Sequence, residues 1–494
     1  MSDSESEYCH SLAGSICEEN FSVARREPET EPDQRQRYVR PCFLEDIEDI
    51  ELYRTGGLHP VSLSDVLDER FEVVYKLGSG RTATVWLCLE LQTRKWRAVK
   101  VHAAARSSAD SPELRLLDVF HDNAVIATQL KAAHVAMSLE TFWLDGPNGR
   151  HLCSVMSVSG PRLSDWRSFA LGDVATSIKE ICHQITQGLQ FLHGQGICHG
   201  DFRPQNALMQ LKEGALDHLW KDEVLDILPF PHREQVLTTD GELSSHAPKW
   251  VYEGLWWPDV KHLVSDDDIA IIDFGEAFVS STPPGSLSVP GKYAAPEVVF
   301  GGVAGKASDV WSLAYTLMEV RLGESLPDDI EENIKRMERF VGPIPLPYQP
   351  VAKEMLYTHL MKQLEQDGEE YKSRPRPPNE VPLDHGRELP PITASQTDLI
   401  AAEAEQANAS PYTNQLEIAL GVERLAEVFV PDERHPAGEE GTLDTTSHRL
   451  PSDEVVALAD LLGKMLKYDA EDRTSAAEAL DHPWFGQTQT DNFF

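Results

Sequence analysis

Apolar residues along this chain follow two kinds of pattern. Leu58–Leu67 begins the ordered sequence, and from Phe71 to Leu77 and Thr84 to Glu90 residues Val, Tyr, Trp and Leu crowd into short runs on either side of a glycine turn. Trp96–His102 repeats that texture, so three consecutive strands are predicted. Val174–Gly194 differs. There Ile178, Ile181, Ile185, Leu189 and Leu192 recur at helical spacing and predict a long amphipathic helix. Two short apolar runs follow, Ala207–Leu211 and Ile269–Phe274, the second reading as a buried strand that leads into a glycine turn. From position 298 onward the pattern is mostly helical and closes with a helical block at Glu454–Leu466.

Three polar stretches interrupt these elements. Residues 1–45 mix Ser, Glu, Asp and Arg with few apolar positions and read as a disordered tail. Residues 212–266 are rich in acids, prolines and tryptophans and read as an inserted loop or subdomain. Residues 365–450, with Arg374-Pro375-Arg376-Pro377-Pro378 and Pro390-Pro391, read as an irregular, partly disordered insertion. Residues 488–494 form a short terminal tail. No repeat of fixed period occurs.

Composition narrows the class. With 41% hydrophobic and 25% charged residues in 494 positions, a sizeable core is expected and whole-chain disorder is excluded. The formal charge of −37 makes direct binding to nucleic acid or an anionic membrane unfavourable, while basic partners are attracted. No apolar window reaches the length of a membrane span. The first residues, Met1–Glu7, are acidic and polar, unlike a secretory or mitochondrial leader. Seven scattered cysteines without a Cys-x-x-Cys pair fit a reducing cytoplasm or nucleus rather than a disulfide framework or zinc site.

Candidate chemistry then appears in a fixed order. Gly78-Ser79-Gly80-Arg81 sits between two strands, where a glycine turn lets backbone N–H groups approach phosphates. A dinucleotide-binding reading would need a helix after that turn, and none is indicated. Alone, the turn is an ordinary hairpin feature. Ala98-Val99-Lys100 ends an apolar strand from which an ammonium can reach phosphates; Glu113, opening a short helix, is a candidate partner for it. His199-Gly200-Asp201-Phe202-Arg203-Pro204-Gln205-Asn206 follows the long helix. Five residues apart on one loop, Asp201 can orient and deprotonate a hydroxyl while Asn206 ligates a metal. Asp273-Phe274-Gly275 follows a buried strand, and its carboxylate can hold Mg²⁺. Ala295-Pro296-Glu297, Ser308-Asp309 and Arg473 look structural: a buried Glu–Arg pair, and an Asp that accepts backbone donors of the catalytic loop.

With these residues assembled, the chain resembles the eukaryotic protein kinases. More narrowly, it is similar to the SR-protein kinases, which phosphorylate Arg/Ser-rich proteins, and to their fungal relatives. That match rests on Tyr53–Val61 leading into Asp65–Phe71, on Thr84–Leu87 and Glu113–Leu117, on the insertion between Asn206 and Asp273, and on Gly275–Phe278. The resemblance implies an α+β, bilobal protein-kinase fold over residues 52–487: a small antiparallel-β lobe at about 70–156 and a larger, mainly helical lobe at about 160–487, with insertions. It implies ATP and Mg²⁺ as cofactors and transfer of the γ-phosphoryl group to protein hydroxyls by a monomer. Catalytic roles fall to Asp201, Lys100, Glu113 and Arg203, and metal binding to Asn206 and Asp273. Nucleotide contacts fall to Gly78, Ser79, Gly80, Arg81, Val85, Ala98, Lys100, Ser157 and Ser159, with Met156 as the gatekeeper beside adenine. Lys100 and Glu113 are expected to form an ion pair in the active state.

Three departures bear on regulation and substrate. Ala83 stands at the third glycine position. Gly200 replaces the arginine that usually precedes the catalytic Asp and meets a loop phosphate, and Arg203 replaces a lysine. The loop 273–297 offers Ser280, Ser281, Thr282, Ser286 and Ser288 but only one cation, Lys292, so phosphorylation is not expected to be needed for activity; Arg203 is the alternative phosphate acceptor. The acids Asp328, Asp329, Glu331 and Glu332 fall where an Arg-rich docking groove is expected, yet Lys335, Arg336 and Arg339 follow at once, the pattern of a solvated helix face. Two other readings remain open at this level: a pseudokinase scaffold, favoured by Ala83, Gly200 and Arg203, and a small-molecule phosphotransferase of the aminoglycoside or choline kinase type, whose catalytic loop often reads His-Gly-Asp.

Overall fold

The computed structural model describes residues 37–44, 46–121, 124–166, 174–373, 414–422, 424–431 and 441–486. Most of the tail expected at 1–45, much of the 365–450 insertion and the 488–494 tail lie outside the described residues. The polar tail gives way to packed chain by Arg37: Tyr38 is buried, pairs with Thr238 as an isolated β-bridge, and donates its hydroxyl to the Tyr53 carbonyl at 2.8 Å.

The small lobe is one antiparallel sheet in the order β1-β2-β3-β4-β6-β5. Its strands are β1 (Val66–Leu67), β2 (Phe71–Ser79), β3 (Ala83–Glu90), β4 (Lys95–His102), β5 (Glu140–Gly146) and β6 (Gly149–Met156). Helices α1 (Pro112–His121) and α2 (Ala124–Ala132) connect β4 to β5. The alternation of the strands divides the sheet into two faces. Val73, Trp86, Val99, Val101, Phe142 and Val155 pack together on one. Val85, Ala98, Lys100 and Met156 share the other, because Val85 registers with Lys100 and Ala98 with Met156.

The helical lobe is built on α4 (Val174–Gly194), after the single turn α3 (Leu163–Trp166). Its helical stripe, Ile178, Ile181, Ile185, Leu189 and Leu192, is buried to 1% exposure or less, as its spacing predicts. β7 (Ile197–Cys198) and β8 (Ala207–Leu211) bracket the catalytic loop; β8 pairs with β11 (Val264–Ile271), and β7 with β12 (Phe278–Val279). Between β8 and β11 lie α5 (Lys221–Ile227), β9 (Arg233–Gln235) and β10 (Trp250–Tyr252). Helices α6 (Pro296–Val299), α7 (Lys306–Leu322), α8 (Ile330–Val341) and α9 (Gln349–Ser373) follow, then α10 (Gln415–Leu420). Strands β13 (Arg424–Pro431) and β14 (Gly441–His448) form an antiparallel pair, and α11 (Ser452–Met465), α12 (Ala476–Leu480) and α13 (Pro483–Gly486) close the lobe. That strand pair corrects the expectation of irregular chain throughout 365–450. Val428, Phe429 and Val430 are good strand formers, and the surrounding prolines and acids mask them. Two bidentate pairs staple the lobe: Arg473 to Glu297 at 2.6 and 2.7 Å, and Arg321 to Glu454 at 2.6 and 2.7 Å.

The 212–266 insertion is not a free loop. Leu216, Val224, Leu228, Leu255 and Val260 pack against Tyr75, Leu87, Leu89 and Trp96 of the small-lobe sheet, while Tyr252 meets Trp86 edge-on from the other face. The Lys76 ammonium is the polar centre of this junction. It pairs with Glu48 of the N-terminal segment and donates to the Tyr252 carbonyl at 2.7 Å, and both charged side chains are 1% exposed. Burial drags the Lys76 pKa below its ordinary value, and Glu48 opposes that shift. Removing one member of such a pair strands the other charge in a dry site. Glu48→Ala is therefore expected to lower unfolding stability by about 3–5 kcal/mol in urea titrations, and the double replacement Glu48→Leu with Lys76→Met to recover most of the loss.

Candidate active site

The site is built where the loop between β7 and β8 meets the turn after β11. Asp309, near the start of α7 and 3% exposed, organises the first. Its Oδ2 accepts the His199 N–H at 2.8 Å and lies 2.9 Å from His193 Nε2; its Oδ1 accepts the Gly200 N–H at 3.0 Å. His199 reaches the Ile272 carbonyl through Nε2 at 3.1 Å and packs against Phe202 and Phe274. The catalytic loop and the Asp273 turn are thereby tied to each other.

Asp201 is buried with its two oxygens in different situations. Oδ2 accepts from Arg203 Nε at 2.9 Å and from Asn206 Nδ2 at 2.8 Å. Oδ1 is buried with no hydrogen-bond partner. A buried carboxylate oxygen without a donor is costly unless something completes it. Asn206 spends its amide hydrogens on Asp201, at the backbone carbonyl (2.7 Å) and at Oδ2, which leaves its Oδ1 without a protein partner among the described residues. The 3₁₀ turn Pro204–Asn206 brings these two side chains together across five residues.

Asp273 takes a left-handed φ of +66°, uncommon for a residue with a Cβ. Its Oδ1 accepts from Lys100 Nζ at 2.9 Å. The Lys100 charge holds the Asp273 carboxyl well below the usual carboxylate range, against the effect of burial. Burial disfavours the Lys100 ammonium, but Asp273 and Glu113 outweigh it and raise its pKa. The ion pair in this structure is Lys100–Asp273; the Lys100–Glu113 pair is an expectation for the active state. Glu113, on α1, instead accepts from Ser138 Oγ at 2.6 Å and lies 3.5 Å from His102 Nε2. The physical reason is that these neighbours already satisfy the carboxylate, leaving Lys100 to the nearer Asp273.

The other nucleotide candidates line the glycine turn and the lobe connection. Gly78 registers with Val85 and Ser79 with Thr84, and the Gly80 N–H closes the turn on the Ala83 carbonyl at 2.9 Å. A Cβ added at Gly78 or Gly80 would meet nothing within 4 Å, so open space lies beside the backbone there. Arg81 is exposed at the tip. Met156 ends β6, and Ser157–Ser159 cross to the helical lobe, with Ser159 Oγ accepting from Gln210 Nε2 at 3.1 Å.

The structure gives Gly200 a steric reason. Its φ is +78°, and a Cβ there would sit 2.2 Å from the Glu276 carbonyl oxygen, where β12 closes on β7. Lys292, the lone cation of the loop 273–297, is committed elsewhere. It is 9% exposed and bonds Glu319 (2.9 Å), Ser325 (2.6 Å) and the Leu326 carbonyl (3.1 Å). Arg203, the alternative acceptor, is paired with Asp201. Sequence reasoning missed His102, Ser138 and Ser154 around Glu113; the only available signal was His102 two residues beyond Lys100 on the same face of a strand.

Gly200→Ala should distort the catalytic loop. Left-handed backbone alone costs a residue with a Cβ roughly 1–2 kcal/mol, and the clash adds to it. A lowered melting temperature together with reduced turnover is expected; an alanine variant equal to the parent in both would refute this account of the position.

The description "Protein kinase domain" matches residues 71–219 and 254–485, well over half the chain. The gap between those stretches falls within the docked insertion. Among curated proteins, the chain is similar to human SRSF protein kinase 3, 35% identical over 35% of this chain and 31% of that protein. It is also similar to protein kinase dsk1 of Schizosaccharomyces pombe, 34% identical over 35% of this chain and 32% of that one. A longer match runs to serine/threonine-protein kinase SRPK of Physarum polycephalum, 27% identical over 58% of this chain and 68% of that one. The chain thus spans about a third of the length of the first relatives it matches. On that match over residues 71–219 and 254–485, the chain belongs to the protein kinase family.

Proposed function

We propose that the chain is an ATP-dependent Ser/Thr protein kinase whose substrates are basic, Arg/Ser-rich proteins. The carrying observation is the unpartnered, buried Oδ1 of Asp201, fixed by Arg203 and Asn206 through the other oxygen. A substrate hydroxyl completes that oxygen: it donates to Oδ1, is oriented by it, and passes its proton to it as its oxygen bonds the γ-phosphorus, the bond from that phosphorus to the β,γ-bridging oxygen breaks, and ADP leaves. Asn206 Oδ1 and Asp273 are the oxygen donors that fit Mg²⁺. Held by these two side chains, Mg²⁺ would supply positive charge to offset that developing on the transferred phosphoryl group. Lys100 exchanges Asp273 for the nucleotide phosphates, and the Gly78–Gly80 turn supplies backbone N–H groups with no Cβ in the way.

The substrate class rests on charge. The SRSF protein kinase relatives and the −37 formal charge both favour an Arg-rich partner. The acids on α8 contribute little as free charges. Lys335 bridges Glu331 at 2.8 Å and Glu332 at 3.5 Å, Asp328 accepts the Lys292 N–H at 2.8 Å, and Asp329 caps the helix. Recognition is then a matter of the long-range field more than of one acidic groove. The site of action that goes with this class is the cytoplasm or nucleus; among the described residues no helix is long and apolar enough to cross a membrane.

Two measurements test the reading. Transfer of labelled γ-phosphate to an Arg/Ser peptide should exceed transfer to a small-amine panel, and Asp201→Asn should reduce turnover by on the order of 10²–10⁴ while nucleotide binding persists. Near-parental transfer by Asp201→Asn would remove the assigned role. Regulation is tested separately. The loop after Asp273 is held by β12 pairing with β7, by the Ser280 N–H on the Gly196 carbonyl at 2.8 Å and by Lys292 on Glu319, none of which needs a phosphate. Phosphatase-treated protein from bacteria should keep most of its activity. Near-complete loss, restored by modifying one loop Ser or Thr, would show that a phosphate is required.

A further inference from the structure

Glu113 presents an arrangement that phosphate transfer alone does not account for. Its carboxylate is buried, and so are Ser138, Ser154 and His102 around it. Oε1 accepts from Ser138 Oγ at 2.6 Å, and the nearby Ser154 hydroxyl favours the charged form of the carboxylate. His102 Nε2 lies 3.2 Å from Ser154 Oγ and 3.5 Å from Glu113 Oε2. These groups come from three elements: β4 (His102), β6 (Ser154) and the loop before β5 (Ser138). Strand register explains the convergence. Ser154 is the cross-strand partner of Lys100, and His102 lies two residues beyond Lys100, so all three project from one face toward α1.

We propose that His102 is a positioning residue: with Ser138 and Ser154 it forms a cage that holds the Glu113 carboxylate, and through it α1, whether or not Lys100 is engaged. The proposal rests on the phosphotransfer reading for its functional consequence, but not for the cage itself. A carboxylate accepts only, so each cage member must present a hydrogen to it or to another member. His102 meets that requirement as a neutral ring with the proton on Nε2, the atom that faces both Ser154 Oγ and Glu113 Oε2. Burial, and Lys100 beside it, push the His102 pKa down to about 4, which keeps the ring neutral near pH 7; Glu113 and Asp273 pull the other way. The His102 main chain is fixed as well, its carbonyl accepting from His151 Nδ1 at 2.9 Å. Lys100 is bonded to Asp273 instead. When the ammonium leaves Asp273 for a nucleotide phosphate, Glu113 is already in place beside it and α1 need not move.

The test uses the full chain as His102→Ala and His102→Gln, with amide hydrogen exchange across α1 (Pro112–His121), melting temperature, and steady-state kinetics in ATP. The glutamine amide keeps an N–H for Ser154; alanine does not. His102→Ala should speed exchange in α1 about tenfold and lower kcat/KM for ATP by a similar factor, mainly through KM, as expected for one lost bond in a charged network. His102→Gln should stay within about twofold of the parent in both. Parental exchange and KM in the alanine variant would overturn the proposal. So would a glutamine variant as impaired as alanine, since the ring would then act by packing and not as a donor. If the parent itself transfers no phosphate, the kinase reading falls, and the exchange measurement alone decides whether the cage holds α1.

Discussion

The Asp309 carboxylate is the interaction on which the site depends. It accepts the backbone N–H groups of His199 and Gly200 and lies within bonding distance of His193, so one buried charge fixes the loop on which Asp201 and Asn206 stand. The arrangement is economical because Asp309 lies on α7, whose residues Ser308–Leu322 are all buried in the helical lobe. A carboxylate on a surface loop would need its own support. Here the lobe's hydrophobic core supplies it, and the rigidity of packed helices reaches the loop of Asp201 and Asn206 through two backbone hydrogen bonds. His199 then extends the tie to the Ile272 carbonyl, just ahead of Asp273.

The small lobe has no comparable helical core, so its sheet is steadied from outside. The insertion after β8 leaves the helical lobe, packs on both faces of the sheet, and returns at β11. Gly254 shows how close this contact runs to the nucleotide candidates. A Cβ there would lie 3.3 Å from the Gly78 Cα and 3.4 Å from the Leu77 carbonyl oxygen. A segment outside the catalytic motifs thus borders the glycine turn and limits how far it can swing.

Features carried by short range were legible in the sequence, and features carried by long range were not. Asp201 and Asn206 share one turn, and the stripe on α4 repeats within its own helix, so spacing alone finds them. Gly200 reads in sequence only as a missing arginine. Its φ of +78° and the Glu276 carbonyl that excludes a Cβ emerge only when β12 folds back on β7. Lys292 reads as a free loop cation because Glu319, its partner, is 27 positions away on a buried helix. Lys76 and Tyr252 are 176 positions apart, and no local pattern announces that an inserted segment returns to cap a strand. The cage around Glu113 is the same case. His102, Ser138 and Ser154 are unremarkable singly, and only sheet register and the return of the chain before β5 bring them to one carboxylate.

The charge balance links the fold to the proposed substrate class. Four buried cations, Lys76, Lys292, Arg321 and Arg473, are each matched by a buried carboxylate, on Glu48, Glu319, Glu454 and Glu297, while buried Arg336 bonds Asn333 and the Pro327 carbonyl. Removing one partner from such a pair costs far more than the pair itself contributes, so these cations are fixed in number and place by the core. Four matched pairs add nothing to the net charge. The surplus of 37 acids is therefore carried by the rest of the chain, and each cation spent inside is one that the surface lacks. On the proposed reading, an outward field of that sign favours Arg-rich chains over nucleic acid, with a strength that falls as salt is added. Each buried pair withholds one acid along with its cation, so the pairing that stabilises the core leaves that surplus unchanged.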